Sequence, residues 1–412
     1  MLERESTVKI GMHDKAREPV ILSAVRTPIG KFQGSLSRVP ATDLGALVVR
    51  EAVRRARLTD STKIDEVLMG NVVAAGLGQA PARQAAIHAG LPPTVGATTL
   101  NKVCGSGLKA GMFAAQAIKA GDADLIVAGG MESMSRAPFL VRGRAGELRY
   151  GHESLEDSLL LDGLWDPFEQ WAMGMAAEYI ADEYEVTREA MDRWALDSHR
   201  KAAAAQDAGK FDAETIGVEL PAEDGDVRVV SRDEGPRRDT TLEKLAALKP
   251  VFSENGRVTA GNSPGLNDGA AALVYASREQ AERLGRQPLA KVIGYAQTAV
   301  PPKEMFIAPA RTIPKLLAKV GWTADDVDLF ELNEAFAAQV LADGYALSEN
   351  GWDWDKVNVH GGAIALGHPL GASGARILTT LIYALRDRGL SKGIASLCLG
   401  GGEAVAMAIE LE

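Results

Sequence analysis

Short, continuously apolar runs alternate with longer amphipathic stretches through most of the 412 residues. VILSAV, LIVAGG, ALVYAS and GIASLCL are such runs. A run with no alternating polar face predicts a strand covered on both sides, and the helix-period stretches between the runs supply the cover. The pattern therefore predicts an α/β fold, and it occurs twice. ALVVREAVRRARL followed by KIDEVLMGNV is matched by IPKLLAKVGW followed by ADDVDLFELNEAF. CGSGLKAGMFAAQAIKAGDADLIVAGGMESM is matched by LGASGARILTTLIYALRDRGLSKGIASLCLGGGEAVAM, each a Gly-Ser-Gly turn, an amphipathic helix, a strand and paired glycines. The offset grows from 262 (Asn71 to Asn333) through 267 (Gly107 to Gly374) to 271 (Gly129 to Gly400), as a few insertions in the second copy would produce. Two stacked α/β halves follow.

Between the copies the periodicity weakens. The expected division is an N-terminal extension over 1–18, a first half over 19–139 and 251–258, an inserted loop domain over 140–250, and a second half over 259–412. The insertion holds three of the six tryptophans and several arginines. An insertion of this length in one copy alone points to function rather than to a linker.

Composition narrows the function. The 43 glycines and only 5% aromatic residues suit close helix–sheet packing and backbone that approaches a ligand. A net charge of −10 argues against a nucleic-acid or anionic-membrane binder, so an anionic substrate needs a local basic patch. No apolar run reaches the roughly 18 to 20 residues of a membrane span. The first twenty residues carry four basic and four acidic side chains and no apolar core of a signal peptide, and a cytoplasmic protein is expected. No His/Cys/Asp/Glu cluster has metal-ligand spacing, so no catalytic metal is expected.

Two cysteines are too few for a disulfide framework and are judged singly. Cys104, in NKVCGSGLKAG, stands where a strand end meets a helix N-terminus, a setting that lowers a thiol pKa and favours a nucleophile. A buried small hydrophobe is its other reading. Cys398 precedes GGG, where glycines let backbone N–H groups approach a ligand; a core cysteine is the alternative. His368, between Gly367 and Pro369, is a candidate general base, and a pseudo-twofold between the halves would bring it to Cys104. Asn333 in ELNEAF could donate to an oxyanion or simply hold a turn. His360, in NVHGG, reads as a structural hydrogen-bonding residue.

NKVCGSGLKA, GGMESMS, NEAF, NVHGGAIALGHPLGASGAR and CLGGG, in this order, resemble the thiolases, from VILSAVRTPIGKF to the C-terminus. The resemblance implies duplicated α/β halves in helix–sheet–helix–sheet–helix layers, with the insertion as a loop domain that binds coenzyme A. It implies Cys104 as the acylated nucleophile, His368 as its activator and Cys398 as the group that moves the substrate α-proton. Asn333 through a water, with His368, would hold the enolate oxygen, and the N–H groups of Cys104 and Gly400 would form a second oxyanion hole. Arg237 matches a nucleotide-contacting arginine, Met173, Met305 and Phe336 match residues near the acyl end, and Ser263 is a further candidate on the coenzyme A side. Ala172 replaces a frequent histidine, Pro264 a frequent serine, MFIAPA a Met-Gly-x-Gly-Pro segment, and Glu403 with Ala404 a commoner Met or Gln with Gly.

The implied activity is acetyl-CoA C-acetyltransfer by a ping-pong route through acyl-Cys104, joining two acetyl-CoA into acetoacetyl-CoA plus coenzyme A or running in reverse. A longer-chain 3-ketoacyl-CoA thiolase of fatty-acid breakdown is the same-class alternative. A thiolase-fold protein that binds acyl-CoA or lipid without turnover is the alternative of another class. No permanently bound cofactor is expected, and the resemblance implies a dimer or homotetramer.

Overall fold

The computed structural model describes residues 15–59, 62–143, 150, 152–221 and 226–412. Residues 1–14 of the expected extension, and 144–149, 151 and 222–225 of the insertion, lie outside the described residues. Lys15–Arg17 form a single 3-10 turn before the first strand.

The main sheet runs, from edge to edge, Leu329–Leu332, Lys392–Leu399, Glu403–Leu411, Ala290–Ala299, Pro19–Arg26, Asn267–Ser277, Leu125–Ser133, Glu66–Gly70 and Gly96–Leu100. The two central strands pair only through Val20 with Lys291 and Ile21 with Ala290. A pseudo-twofold exchanges those two pairs, so the sheet is two half-sheets joined at this seam. In each half the short strand just before Asn71 or Asn333 lies parallel to the strand carrying LIVAGG or GIASLCL.

Alternate residues of these strands face different layers. In the first half, Ile126 and Ala128 face the central helices Ser106–Ala120 and Leu370–Arg388, while Leu125, Val127 and Met131 face the outer helices Ala41–Arg55 and Pro81–His88. In the second, Leu397 and Leu399 face the same central helices, while Ile394 packs outward against Ala308–Val320 and Ala337–Leu347. The result is helix, sheet, helix pair, sheet, helix. Strands 125–133 and 267–277 are buried at every position, which is why they read as unbroken apolar runs.

Two expectations need correction. Asn267–Ser277 pairs with Pro19–Arg26 and Leu125–Ser133, so it completes the first half-sheet and the second half cannot begin at 259. The strand register also replaces the Gly129–Gly400 alignment. Gly70 lies opposite Gly130, and Leu332 lies opposite Ser396; since Asn71 and Asn333 follow Gly70 and Leu332, Gly130 corresponds to Ser396 and Glu132 to Cys398. Glycine pairs are weak anchors for alignment, because turns of different length use them equally.

The insertion reaches across to the second half, where Ile180 and Leu196 join the outer core with Val340. It is strapped to the first strand by buried Arg26, which donates to Glu214 at 2.5 Å and to Asp233 at 2.7 and 2.9 Å.

The Ser106-Gly107 and Ser373-Gly374 helix starts cross at the pseudo-axis. A Cβ on Gly107 would lie 2.7 Å from the backbone N of Ala375, and one on Gly374 would meet the backbone N of Leu108. This reciprocal contact brings the two helix starts together. Although alanine is the better helix former by about 1 kcal/mol, Gly107→Ala is expected to destabilise the fold by about 1 to 3 kcal/mol, because backbone stands in the way. The urea unfolding midpoint of the variant checks this; a midpoint at or above that of the parent would contradict it.

Candidate active site

Around that crossing lies a mostly apolar cavity of about 200 Å³. Cys104, His368, Cys398, Gly400, Met173, Ser263, Met305 and Phe336 all line it. A second cavity of about 270 Å³ is lined by Arg237, Lys31 and His199, and it shares Ser263, Pro264, Gly265 and Leu266 with the first. An apolar chamber thus leads past residues 263–266 to a basic mouth, which answers the local charge requirement of an otherwise acidic protein.

Cys104 occupies the turn before the Ser106–Ala120 helix, preceded by Val103 at φ 46°. Left-handed backbone at a β-branched residue costs on the order of 1 to 3 kcal/mol and is held only by its surroundings. Ser106 supplies part of that hold, accepting from Lys102 N at 2.8 Å and donating to Val103 O at 2.6 Å. Lys102 forms an ion pair with Glu403, tying the Cys104 turn of one half to the Gly-rich turn of the other. The residue that departs from the thiolase pattern at 403 therefore has a partner here.

The Cys104 thiol corrects an expectation. Burial pushes its pKa up to about 12, while the N–H groups of Cys104 and Gly400 pull the other way. The helix terminus contributes donors but does not outweigh desolvation. Cys398 is also pushed well above the usual thiol range, chiefly by burial and then by the neighbouring Cys104.

His368 is set for a single tautomer. Its Nδ1 lies 2.6 Å from Ser373 Oγ, which donates its one hydrogen to Pro369 O at 2.9 Å. Nδ1 must then be the donor, and Nε2, buried and without a hydrogen-bond partner, keeps its lone pair. Burial, and then the charge of Arg376, hold the imidazole pKa down to about 3, so the ring is neutral at pH 7.

Asn333 is not among the cavity-lining residues. It is 1% exposed, and neither amide atom has a hydrogen-bond partner, an arrangement suited to a trapped water. His360 packs edge-on against Phe211 and lines neither cavity. Ser373, Met134, Leu160, Leu164 and Phe252 escaped the sequence reading. Leu160 and Leu164 belong to LLLDGLW, an apolar run inside an otherwise polar insertion, and that was the available signal. Among the described residues no group of three or more His, Cys, Asp or Glu is placed to hold a metal ion, and no helix is long and apolar enough to cross a membrane.

Residues 19–279 match the thiolase N-terminal domain and residues 286–411 the thiolase C-terminal domain. The chain belongs to the thiolase family. The boundary between the two domains falls after Asn267–Ser277, as the strand pairing requires. An acetyl-CoA acetyltransferase of Cupriavidus necator is 52% identical over 391 residues, covering 95% of this chain and 98% of that protein. One of Pseudomonas aeruginosa is 50% identical, covering 95% and 99%. A probable acetyl-CoA acyltransferase of Staphylococcus epidermidis is 48% identical, covering 95% and 98%. The crystal structure of the Bacillus anthracis acetyl-CoA acetyltransferase superposes with a TM-score of 0.92 at 45% identity, covering 96% of this chain and 99% of that one. In this thiolase the departures Ala172, Pro264 and Phe306 all lie on the chamber wall.

Proposed function

We propose that this thiolase is an acetyl-CoA C-acetyltransferase. The observation that carries the reading is the convergence of two thiols, an imidazole with a free Nε2 and the Gly400 backbone on one apolar chamber that opens to Arg237. The names of its relatives support the same activity.

In the first half-reaction Cys104 Sγ attacks the thioester carbonyl as its proton passes to His368 Nε2. Collapse of the adduct expels coenzyme A, which takes that proton, and leaves acetyl-Cys104. A second acetyl-CoA enters; Cys398 gives its proton to His368 Nε2 and, as thiolate, removes the α-proton. The enolate oxygen is held by a water on Asn333 together with His368. The α-carbon attacks the acetyl carbonyl, the adduct oxygen rests on the N–H groups of Cys104 and Gly400, and collapse releases acetoacetyl-CoA from the Cys104 sulfur, which takes back the proton held by His368. Preorganised donors at both oxygens lower both barriers without rearrangement. Coenzyme A thioesters enter as substrates and no resident cofactor takes part. Cytoplasmic residence, a dimeric or homotetrameric assembly and a place in fatty-acid metabolism belong to this reading on the resemblance alone.

The longer-chain reading stays open because the wall includes Ala172, Leu160 and Leu164. Against it, Phe306 points inward, 3% exposed, with its ring edge-on to Phe336 at 5.4 Å. Acetoacetyl-CoA is expected to be cleaved with a higher kcat/KM than 3-ketohexanoyl-CoA, by about 10-fold or more, and Phe306→Gly is expected to narrow the gap. A chain-length series of thiolysis rates tests both; a preference for 3-ketooctanoyl-CoA would favour the degradative reading. Absence of thiolysis with every substrate would favour a non-catalytic binder.

A further inference from the structure

The strand register and the helix crossing together define a second copy of the site, built from the opposite contributions. Cys104 corresponds to Gly371 and His368 to Asn101 through the Gly107–Gly374 offset, Asn333 corresponds to Asn71, and Cys398 corresponds to Glu132. The two copies differ in their reactive residues and in how the asparagine is held. In the copy that carries the chamber, Asn333 lies behind the cavity wall with both amide atoms without partners. In the counterpart, the Asn71 amide nitrogen donates to Glu132 Oε1 at 2.9 Å.

Glu132 is fully buried, and the groups around it are donors. Besides Asn71, it accepts from Val72 N at 3.1 Å, Val73 N at 3.2 Å and Gly371 N at 2.9 Å. Four N–H groups converging on one carboxylate resemble an oxyanion hole whose occupant is covalently attached. The counterpart has no room for a nucleophile, because a Cβ on Gly371 would lie 2.8 Å from Met131 O and 3.0 Å from Gly70 O. These donors connect two places. Val72 and Val73 follow the strand of the first half, whereas Gly371 opens the second-half helix, three residues after His368 and two before Ser373.

We infer that Glu132 is a positioning residue of the active site: its carboxylate fills the unused copy of the site and grips Gly371 N–H, holding the His368 segment of one half at a set distance from the Cys104 turn of the other. Burial raises its pKa to about 7, while the N–H groups of Gly371, Val72 and Val73 favour the ionised form. The inference rests on Cys104 and His368 acting as nucleophile and base.

Glu132→Gln turns one acceptor oxygen into an NH2 group facing donors, so at least one of the four bonds is lost without change of volume. A misplacement of about 1 Å at a reacting pair costs on the order of 100-fold. The variant is expected to lose roughly 10- to 100-fold in kcat for acetoacetyl-CoA thiolysis while KM stays within about 3-fold, since the acyl chamber and its mouth do not include residue 132. If Glu132→Gln does not fold, Glu132→Asp keeps the charge on a shorter arm and is expected to show a smaller loss with the same split between kcat and KM. Unchanged kcat in the folded variant, or kcat and KM moving together, overturns the inference. Mass spectrometry of the parent protein after incubation with acetyl-CoA runs alongside. Acetyl-Cys104 in the parent with full kcat in the variant removes only the role of Glu132, whereas no acetyl-Cys104 in the parent removes the functional reading beneath it.

Discussion

Cys104→Ala is expected to lower acetyl transfer by about 10⁴-fold or more, the scale seen when a covalent nucleophile is removed from a set of groups that act as a unit. The parent protein incubated with acetyl-CoA is expected to gain one acetyl mass on the peptide containing Cys104, and the variant none. Mapping the acetyl group to Cys398 would reverse the assignment of the two thiols. The raised thiol pKa adds a second measurement. A thiol pushed up to about 12 is protonated at pH 7, and each unit of pH below that value leaves about a tenth as much thiolate. Alkylation of Cys104 by iodoacetamide is therefore expected to climb steadily between pH 7 and 9. A plateau near pH 7 would mean that the helix terminus and the Gly400 N–H outweigh burial after all.

Cys398→Ser is expected to separate the two half-reactions. Its hydroxyl is a far weaker acid–base group than a thiol, so condensation should fall by about 10² to 10⁴, the usual span for a positioned acid or base. Acetylation of Cys104 needs only His368 and the backbone donors, and it is expected to persist within about 10-fold of the parent rate. Single-turnover acetylation measured by mass spectrometry, beside steady-state formation of acetoacetyl-CoA, gives the two rates. Equal losses in both would show that Cys398 supports the chamber rather than handling the α-proton.

The strands and central helices were readable because double-sided burial leaves an unbroken apolar run and a helix between two sheets keeps an amphipathic or apolar period. The pattern of ALVYAS marks a strand at 267–277, but its place in the first half does not show along the chain. Nothing local distinguishes a strand that pairs backward across the sequence from one that pairs forward, and the antiparallel ladder with Leu125–Ser133 decides it. The Gly129–Gly400 alignment failed for a related reason: register is a property of the ladder, and glycine pairs can slide along it by a few residues.

At the site, residue identity and chain geometry contributed separately. Local chemistry marked Cys104, His368, Cys398 and Asn333 as candidates, because a thiol at a helix start, an imidazole between glycine and proline, and an amide at a strand end each carry a reactive or donating group into a turn. Their ionisation depended on what encloses them. A helix N-terminus favours a thiolate, yet burial prevails at Cys104, and only the fold sets how much protein covers the sulfur. The His368 tautomer follows from Ser373 five residues on, a contact made by the turn into the Leu370–Arg388 helix. The duplication itself was legible along the chain. That the two copies cross at Gly107 and Gly374, leaving one copy open at Asn333 and the other filled by Glu132, arises from contacts between residues from some 60 to 270 positions apart, which a local pattern of hydrophobic and polar residues does not encode.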